Sequence, residues 1–240
     1  MTSFISKETI SRLLSDIKQI IKNPLSENGI YYIHDDTDIL KGYALIIGPS
    51  DTPYFGGNYF FEFKYPYDYP HSPPKVTYCT NGNGVRFNPN LYKCGKVCVS
   101  LLNTWSGEQW TSCQTISTVL LTLCTLLCKD PLLNEPGVSK YHSEFNNYTK
   151  IIEFSNIDIA VCDIMNKKEG CVFPFFELFY HIVEERFQTN YDDLIKFIDK
   201  KIDENKDCLS CVLTGGFYKM NVNVDYTKLK KKIMTIKNNK

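Results

Sequence analysis

The chain carries no surplus of charge: 27 Lys and Arg stand against 27 Asp and Glu in 240 residues. Its overall field therefore gives no reason to expect nucleic acid or an anionic membrane as the main partner. Long apolar runs are missing too. The longest, Ile116 to Cys128, is too short and too rich in Thr and Ser to cross a bilayer. The opening Met1-Thr-Ser-Phe-Ile-Ser-Lys lacks the apolar core of a secretory signal. The expected setting is soluble and intracellular, in the cytoplasm, with the nucleus left open. Asn81-Gly82-Asn83-Gly84 is a turn without the Lys-Ser/Thr ending of a phosphate loop, so no nucleotide site is implied. There is neither an internal repeat nor a low-complexity block, and 43% hydrophobic with 22% charged residues describes an ordinary globular protein.

Cysteine, by contrast, is plentiful, at ten residues. In a reducing compartment buried cysteines behave as small hydrophobes, and Cys124, Cys128 and Cys162 lie at core-like helical spacing. Cys208-Leu-Ser-Cys211 has a short metal-binding spacing, but no second pair and no nearby His completes the four ligands of a closed zinc site. Neither a metal nor a cofactor is expected.

Periodicity sets out the elements. Ser6 can cap a helix with Ile10, Leu13, Leu14, Ile17 and Ile20/Ile21 on one face, ended by Asn23-Pro24. Ile39–Ile47, Tyr59–Tyr65 and Lys75–Cys79 read as strands whose short connections favour an antiparallel meander. From Thr80 to about Thr115 the chain is irregular, yet its aromatics and prolines argue for an ordered, functional loop. A buried helix follows from Ile116, ending at Asp130-Pro131. Further helices are expected around Val138–Phe145 and Tyr148–Asn166. Lys167-Lys-Glu-Gly170 reads as a linker. Beyond it come two more amphipathic helices, one opened by Pro174 with Leu178 and Phe179 inside, the other running from Asp192-Asp193 to Lys200-Lys201. The expected organisation is a core over 1–166, a helical extension over 167–216 and a basic tail over 217–240.

The most informative stretch is Phe87 to Leu102, F-N-P-N-L-Y-K-C-G-K-V-C-V-S-L-L. A rigid Asn88-Pro89-Asn90 turn precedes Cys98, with Asn90 eight residues ahead of the thiol. A cysteine nucleophile with an amide placed to donate to an acyl oxygen suits transfer through a thioester.

Other segments join it. Gly48-Pro-Ser-Asp-Thr-Pro-Tyr-Phe-Gly-Gly57, Tyr65-Pro-Tyr-Asp-Tyr-Pro-His-Ser-Pro-Pro-Lys-Val76, and Trp110 followed by Ile116-Ser117 stand in order around the Asn-Pro-Asn and Cys stretch. Over roughly residues 1–166 this pattern resembles the ubiquitin-conjugating enzymes. The resemblance implies an α+β fold: an N-terminal helix, a four-stranded antiparallel meander, a long active-site loop, a buried central helix and C-terminal helices, here with an α-helical extension. Asn88 in place of the usual His, Thr104-Trp105-Ser106-Gly107, Asn134-Glu135-Pro136-Gly137 and the long final helix through Met165 are similar to a larger, C-terminally extended member. That member receives ubiquitin or a ubiquitin-like modifier from an alternative activating enzyme.

The resemblance implies that Cys98 takes the modifier's carboxy-terminal acyl group from the activating enzyme and yields it to a lysine or a ligase cysteine. Such exchange needs an accessible thiolate. Asn90 would stabilise the oxyanion, with Asn88 and Pro89 bracing the loop. Glu135, with Asn134 as the alternative, would position the incoming lysine. His71, Trp110 and Ser112 fall where the family meets ligases; His71 and Ser112-Cys113 depart from the common pattern there, so a different or narrow ligase set is expected. Cys94 fills a variable slot and is the rival thiol. Lys7, Arg12, Lys18 and Lys22 form a basic helix face, solvated or turned to the activating enzyme. The implied partners are the modifier, its activating enzyme and a ligase, with no nucleic acid or membrane. A catalytically silent, ubiquitin-binding relative is the alternative, and a cysteine hydrolase lacks a recognisable His partner.

Overall fold

Ser6 opens the first helix, α1 (Lys7–Lys22), by accepting a hydrogen bond from the Thr9 amide at 3.0 Å, and Asn23 closes it. Leu13 and Ile20 are buried, whereas Leu14 and Ile21 on the expected apolar face are exposed. The computed structural model describes residues 4–80, 82–204 and 210–239.

Four strands follow as an antiparallel meander in sequence order: β1 (Ile30–His34), β2 (Lys41–Ile47), β3 (Asn58–Lys64) and β4 (Lys75–Tyr78). The residue pattern alone predicts three of them, and β1 completes the four that the family resemblance implies. Gly48 sits in the β2–β3 connection, where an added Cβ would fall 1.7 Å from the Tyr54 carbonyl, so only glycine fits.

In the register, Tyr31, Leu45 and Phe60 lie opposite one another, as do Tyr32, Ala44 and Phe61 on the other face. Tyr59, Phe60 and Phe61 are all buried. Three consecutive buried residues mean that both sheet faces are covered. One face turns to the main core, with Tyr59, Tyr54 and Phe87 packed edge-on. The other is covered by residues 173–179: Phe60 meets Phe173 and Phe176 at 5.4 Å each, and Phe175 stacks on Tyr43 at 4.4 Å.

The central helix, α2 (Ile116–Leu126), begins with a reciprocal cap between Thr115 and Thr118 and buries Ile116, Val119, Leu120 and Leu123. The expected helix over Val138–Phe145 does not form; that span is turns, and α3 runs Phe145–Ser155 before widening into a π-type stretch, Asn156–Asp163. The two helices expected after Pro174 are one, α4 (Tyr180–Glu204), and Leu178 lies before it, exposed.

The extension is not purely helical, and its end is not a solvated tail. A hairpin of β5 (Cys211–Gly215) and β6 (Met220–Val224) leads into α5 (Tyr226–Asn238), capped by Asp225. Leu229, Ile233 and Ile236 are buried at helical spacing among the lysines. Lys232 donates to Asp158 at 2.5 Å and to the buried Asp163 at 2.6 Å, tying α5 to the π-type stretch. Burial alone would lower Lys232, but its hydrogen bonds to the two carboxylates raise it. Among the described residues no helix is long and apolar enough to cross a membrane. The Cys208 half of the short cysteine pair lies outside the described residues, and among those described no cluster of three or more His, Cys, Asp or Glu is arranged to hold a metal.

Candidate active site

The irregular stretch after β4 folds back on itself and is pinned to the sheet. Thr77 bridges to Lys96, Leu91 bridges to both Asn88 and Val97, and the Tyr78 amide donates to the Gly95 carbonyl at 2.8 Å. Gly95 has φ +87°, and a Cβ there would lie 2.9 Å from the Thr77 methyl. Only glycine lets the loop approach the strand this closely.

The fold-back joins the two halves of the motif. The Cys98 amide donates to the Asn90 carbonyl at 2.9 Å, and Asn90 Nδ2 donates to the Cys98 carbonyl at 2.5 Å. Asn90 Oδ1 is buried without a partner among the described residues. Asn88 is fully buried. Its Nδ2 donates to the Leu126 carbonyl at 2.7 Å and to Tyr54 Oη at 3.1 Å, while its Oδ1 accepts from the Asn90 amide at 2.9 Å. An amide with two donors and an acceptor thus joins the central helix to the turn. Buried Pro89 gives its carbonyl to Arg86 Nη2. The Arg86 guanidinium lies between the rings of Tyr92, at 3.7 Å, and Tyr218, at 4.3 Å.

Cys98 departs from the accessible thiol expected from the motif. It is 3% exposed, and its sulfhydryl donates to the Thr104 carbonyl at 3.1 Å. Thr104 is held in turn: its hydroxyl accepts from the Val99 amide at 2.9 Å and lies 2.9 Å from the Val97 carbonyl. A groove of about 670 Å³, lined by Pro73, Pro74, Thr77, Cys94, Leu102 and Thr104 among others, ends at this cover. Cys98 itself does not line this groove; Thr104, whose carbonyl accepts from its sulfhydryl, stands between them. Cys94 is exposed on the same groove.

Glu135 follows the Pro131–Asn134 turn, and the Tyr218 hydroxyl of the C-terminal hairpin donates to its Oε2. Its neighbour Asn134 reaches the turn directly, with Nδ2 3.4 Å from Asn88 Oδ1. The turn and the acidic residue are thus joined, through Asn134 on one side and through Tyr218 and Arg86 on the other. Tyr218 belongs to this link although the sequence reading placed it in the basic tail. No local signal marks it, because it lies 83 residues from Glu135 along the chain.

The three residues expected to face a ligase are not alike. His71 and Ser112 are exposed, His71 Nε2 lying 3.5 Å from Glu8. Trp110 is buried, its Nε1 donating to the Pro70 carbonyl at 2.7 Å and its backbone amide to Asn103 Oδ1 at 2.9 Å. Its large apolar ring is better buried than offered to a partner, so it links the Pro-rich segment to the loop after Cys98. Arg12 is not part of a solvated helix face. It pairs with Asp16 at 2.9 Å and donates to the carbonyls of Ser112 and Gln114 at 2.6 and 2.5 Å.

A helix, an antiparallel meander and a looped Asn-Pro-Asn turn hydrogen-bonded to a cysteine are the features on which the resemblance to the ubiquitin-conjugating enzymes rests. The family model described as Ubiquitin-conjugating enzyme matches residues 12–155, and the chain belongs to that family. Its relatives include Ubiquitin-conjugating enzyme E2 Z of Danio rerio, 40% identical over 190 residues, 78% of this chain and 56% of the relative. The E2 Z of Homo sapiens is 41% identical over 188 residues, 77% of this chain and 51% of the relative. The Dual E2 ubiquitin-conjugating enzyme/E3 ubiquitin-protein ligase BIRC6 of Homo sapiens matches a shorter stretch: 46% over 127 residues, 49% of this chain and 3% of that protein. Of these, E2 Z is what the chain most resembles, in a match longer than the stretch covered by the family model. The chain spans about half the length of the E2 Z relatives.

Proposed function

We propose that the chain accepts ubiquitin, or a ubiquitin-like modifier, from an activating enzyme as a Cys98 thioester and transfers it to a lysine or to a ligase cysteine. The observation that carries this reading is the reciprocal pair between Asn90 and the Cys98 backbone, which fixes the amide beside the residue that bears the thiol. In loading, the Cys98 thiolate attacks the donor thioester; a new C–S bond forms and the activating enzyme's thiolate leaves. In transfer, the lysine amine attacks, its proton passes to a carboxylate such as Glu135, the C–N bond forms and the Cys98 thiolate departs. Asn90 Nδ2 carries a second N–H beyond the one on the Cys98 carbonyl, and that hydrogen is the donor for the oxyanion. His71 and Ser112, both exposed, belong to the surface proposed for a ligase.

The partners are accordingly the modifier, its activating enzyme and a ligase. The compartment is the cytoplasm, with the nucleus open to it; the cysteines among the described residues are all free, which suits a reducing environment.

The test incubates the chain with activating enzyme, ATP and ubiquitin. An adduct that is lost on reduction and absent in Cys98→Ala supports the reading, and Cys98→Ser should give a reductant-resistant oxyester. Full labelling of Cys98→Ala overturns it, as does ubiquitin binding without any charging, the outcome expected of a silent relative.

A further inference from the structure

The tip of the β5–β6 hairpin reaches into the Asn-Pro-Asn loop from the far end of the chain. Tyr218 makes four separate contacts there. Its hydroxyl donates to Glu135 Oε2. Its ring carries the Arg86 guanidinium at 4.3 Å, and the same guanidinium donates to the Pro89 carbonyl. Its carbonyl accepts from Lys93 Nζ at 3.0 Å. Its ring also meets Tyr148 edge-on, at 5.7 Å between centroids, and the Tyr148 hydroxyl donates to the Arg86 carbonyl at 2.8 Å. The hairpin is itself anchored, since the Gly216 amide donates to Glu144 at 2.8 Å and Met220 Sδ accepts from the Arg86 amide at 3.2 Å.

Two features distinguish this from ordinary packing. A hydroxyl placed on one carboxylate oxygen holds the side chain in a single rotamer, and no hydrogen bond among the described residues engages the other oxygen, Oε1. The same ring steadies, through Arg86, the turn that presents Asn90.

Resting on the transfer reading above, we propose that Tyr218 is a positioning residue for attack by the lysine amine. It orients Glu135 so that Oε1 receives the ammonium proton as the C–N bond forms and the Cys98 thiolate leaves. The C-terminal extension is then part of the transfer apparatus. Loading does not use the Tyr218 hydroxyl, because thiol-to-thioester exchange involves no amine to deprotonate.

The experiment compares wild type, Tyr218→Phe, Glu135→Gln and the double variant of the full chain in two single-turnover assays. One is loading of Cys98 from the activating enzyme; the other is discharge of the loaded thioester to free lysine. Phenylalanine keeps the ring under Arg86 and removes only the hydroxyl. The expected result is loading at the wild-type rate in all four and discharge slowed about tenfold in Tyr218→Phe, the size of one hydrogen bond to a charged group. The double variant should be no slower than Glu135→Gln, since a residue acting through Glu135 has nothing left to position. Tyr218→Ala should lose loading as well, through Arg86. Wild-type discharge in Tyr218→Phe or in Glu135→Gln overturns the proposal. So do multiplicative losses in the double variant, or a parallel fall in loading, which mark a merely structural role. Failure of the wild type itself to load Cys98 sinks the transfer reading, and this inference with it.

Discussion

Cys98 lies under the Thr104 carbonyl, whereas Cys94 on the neighbouring groove and Cys113 beyond Trp110 are exposed. A reagent that needs direct contact with sulfur should follow that difference. With limiting iodoacetamide, peptide mapping should find Cys94 and Cys113 modified before Cys98, and Cys98 should catch up under mild denaturation; Cys98 reacting first would contradict the covered geometry. Asn90 has two roles in one amide, tying the fold-back to Cys98 and donating to the oxyanion. Asn90→Ala should therefore slow single-turnover discharge to lysine by about 10²–10³-fold, the usual cost of one preorganised donor. It should also lower the thermal midpoint through loss of the 2.5 Å bond to the Cys98 carbonyl. A full-rate variant would leave Asn90 only its bracing part.

Among the elements, β1 carries a titrating group at its end. His34 Nε2 donates to the Ile39 carbonyl at 2.9 Å, and Nδ1 accepts from the Tyr32 hydroxyl at 2.8 Å, an arrangement that fits the neutral ring. Burial holds His34 below its ordinary value, against the opposing pull of the Ile39 hydrogen bond and of Asp35, Asp38 and Asp36. The unfolded chain then binds the proton first as pH falls. This contribution to stability is complete above about pH 6.5 and declines as pH drops below it towards the folded value. Urea midpoints at pH 7.5 and 5.5 should show the decline, and His34→Gln should flatten it; an unchanged slope would remove His34 as its source. In the segment leading to α4, Phe176 is fully buried against Phe60 and Tyr180. Phe176→Ala should destabilise the protein by about 3–5 kcal/mol, as is usual for an aromatic removed from a core. Denaturant titration measures it, and a loss under about 1 kcal/mol would mean that this face of the sheet is loosely covered.

For the molecule as a whole, the extension closes the second face of the sheet. Ending the chain after Asn166 would uncover Leu45 and Phe60, both fully buried, and remove the Lys232 partner of Asp158 and Asp163. A chain of residues 1–166 should bind a hydrophobic dye and unfold at a lower temperature than the full chain. Unchanged dye binding and midpoint would make the core self-sufficient. The division into core, extension and tail expected from composition is thus crossed by packing: Phe175 stacks on Tyr43, and Tyr218 reaches Glu135.

Much was legible without coordinates because it is local. The Ser6 cap, the strand runs, the buried face of α2 and the Asn-Pro-Asn to Cys98 spacing each depend on residues near one another in the chain, where propensity and periodicity act. Trp110, Arg12 and Tyr218 could not be assigned that way, since a tryptophan, an arginine and a tyrosine look alike in sequence whether they face a partner or another part of the same chain. Their roles come from contacts across 40, 100 and 83 residues. The same holds for the lysine-rich end, where Leu229, Ile233 and Ile236 found a surface to bury against. The chain order specifies which groups are present and how they repeat. Which of them meet depends on where distant elements pack, because burial rewards apolar area wherever it is found.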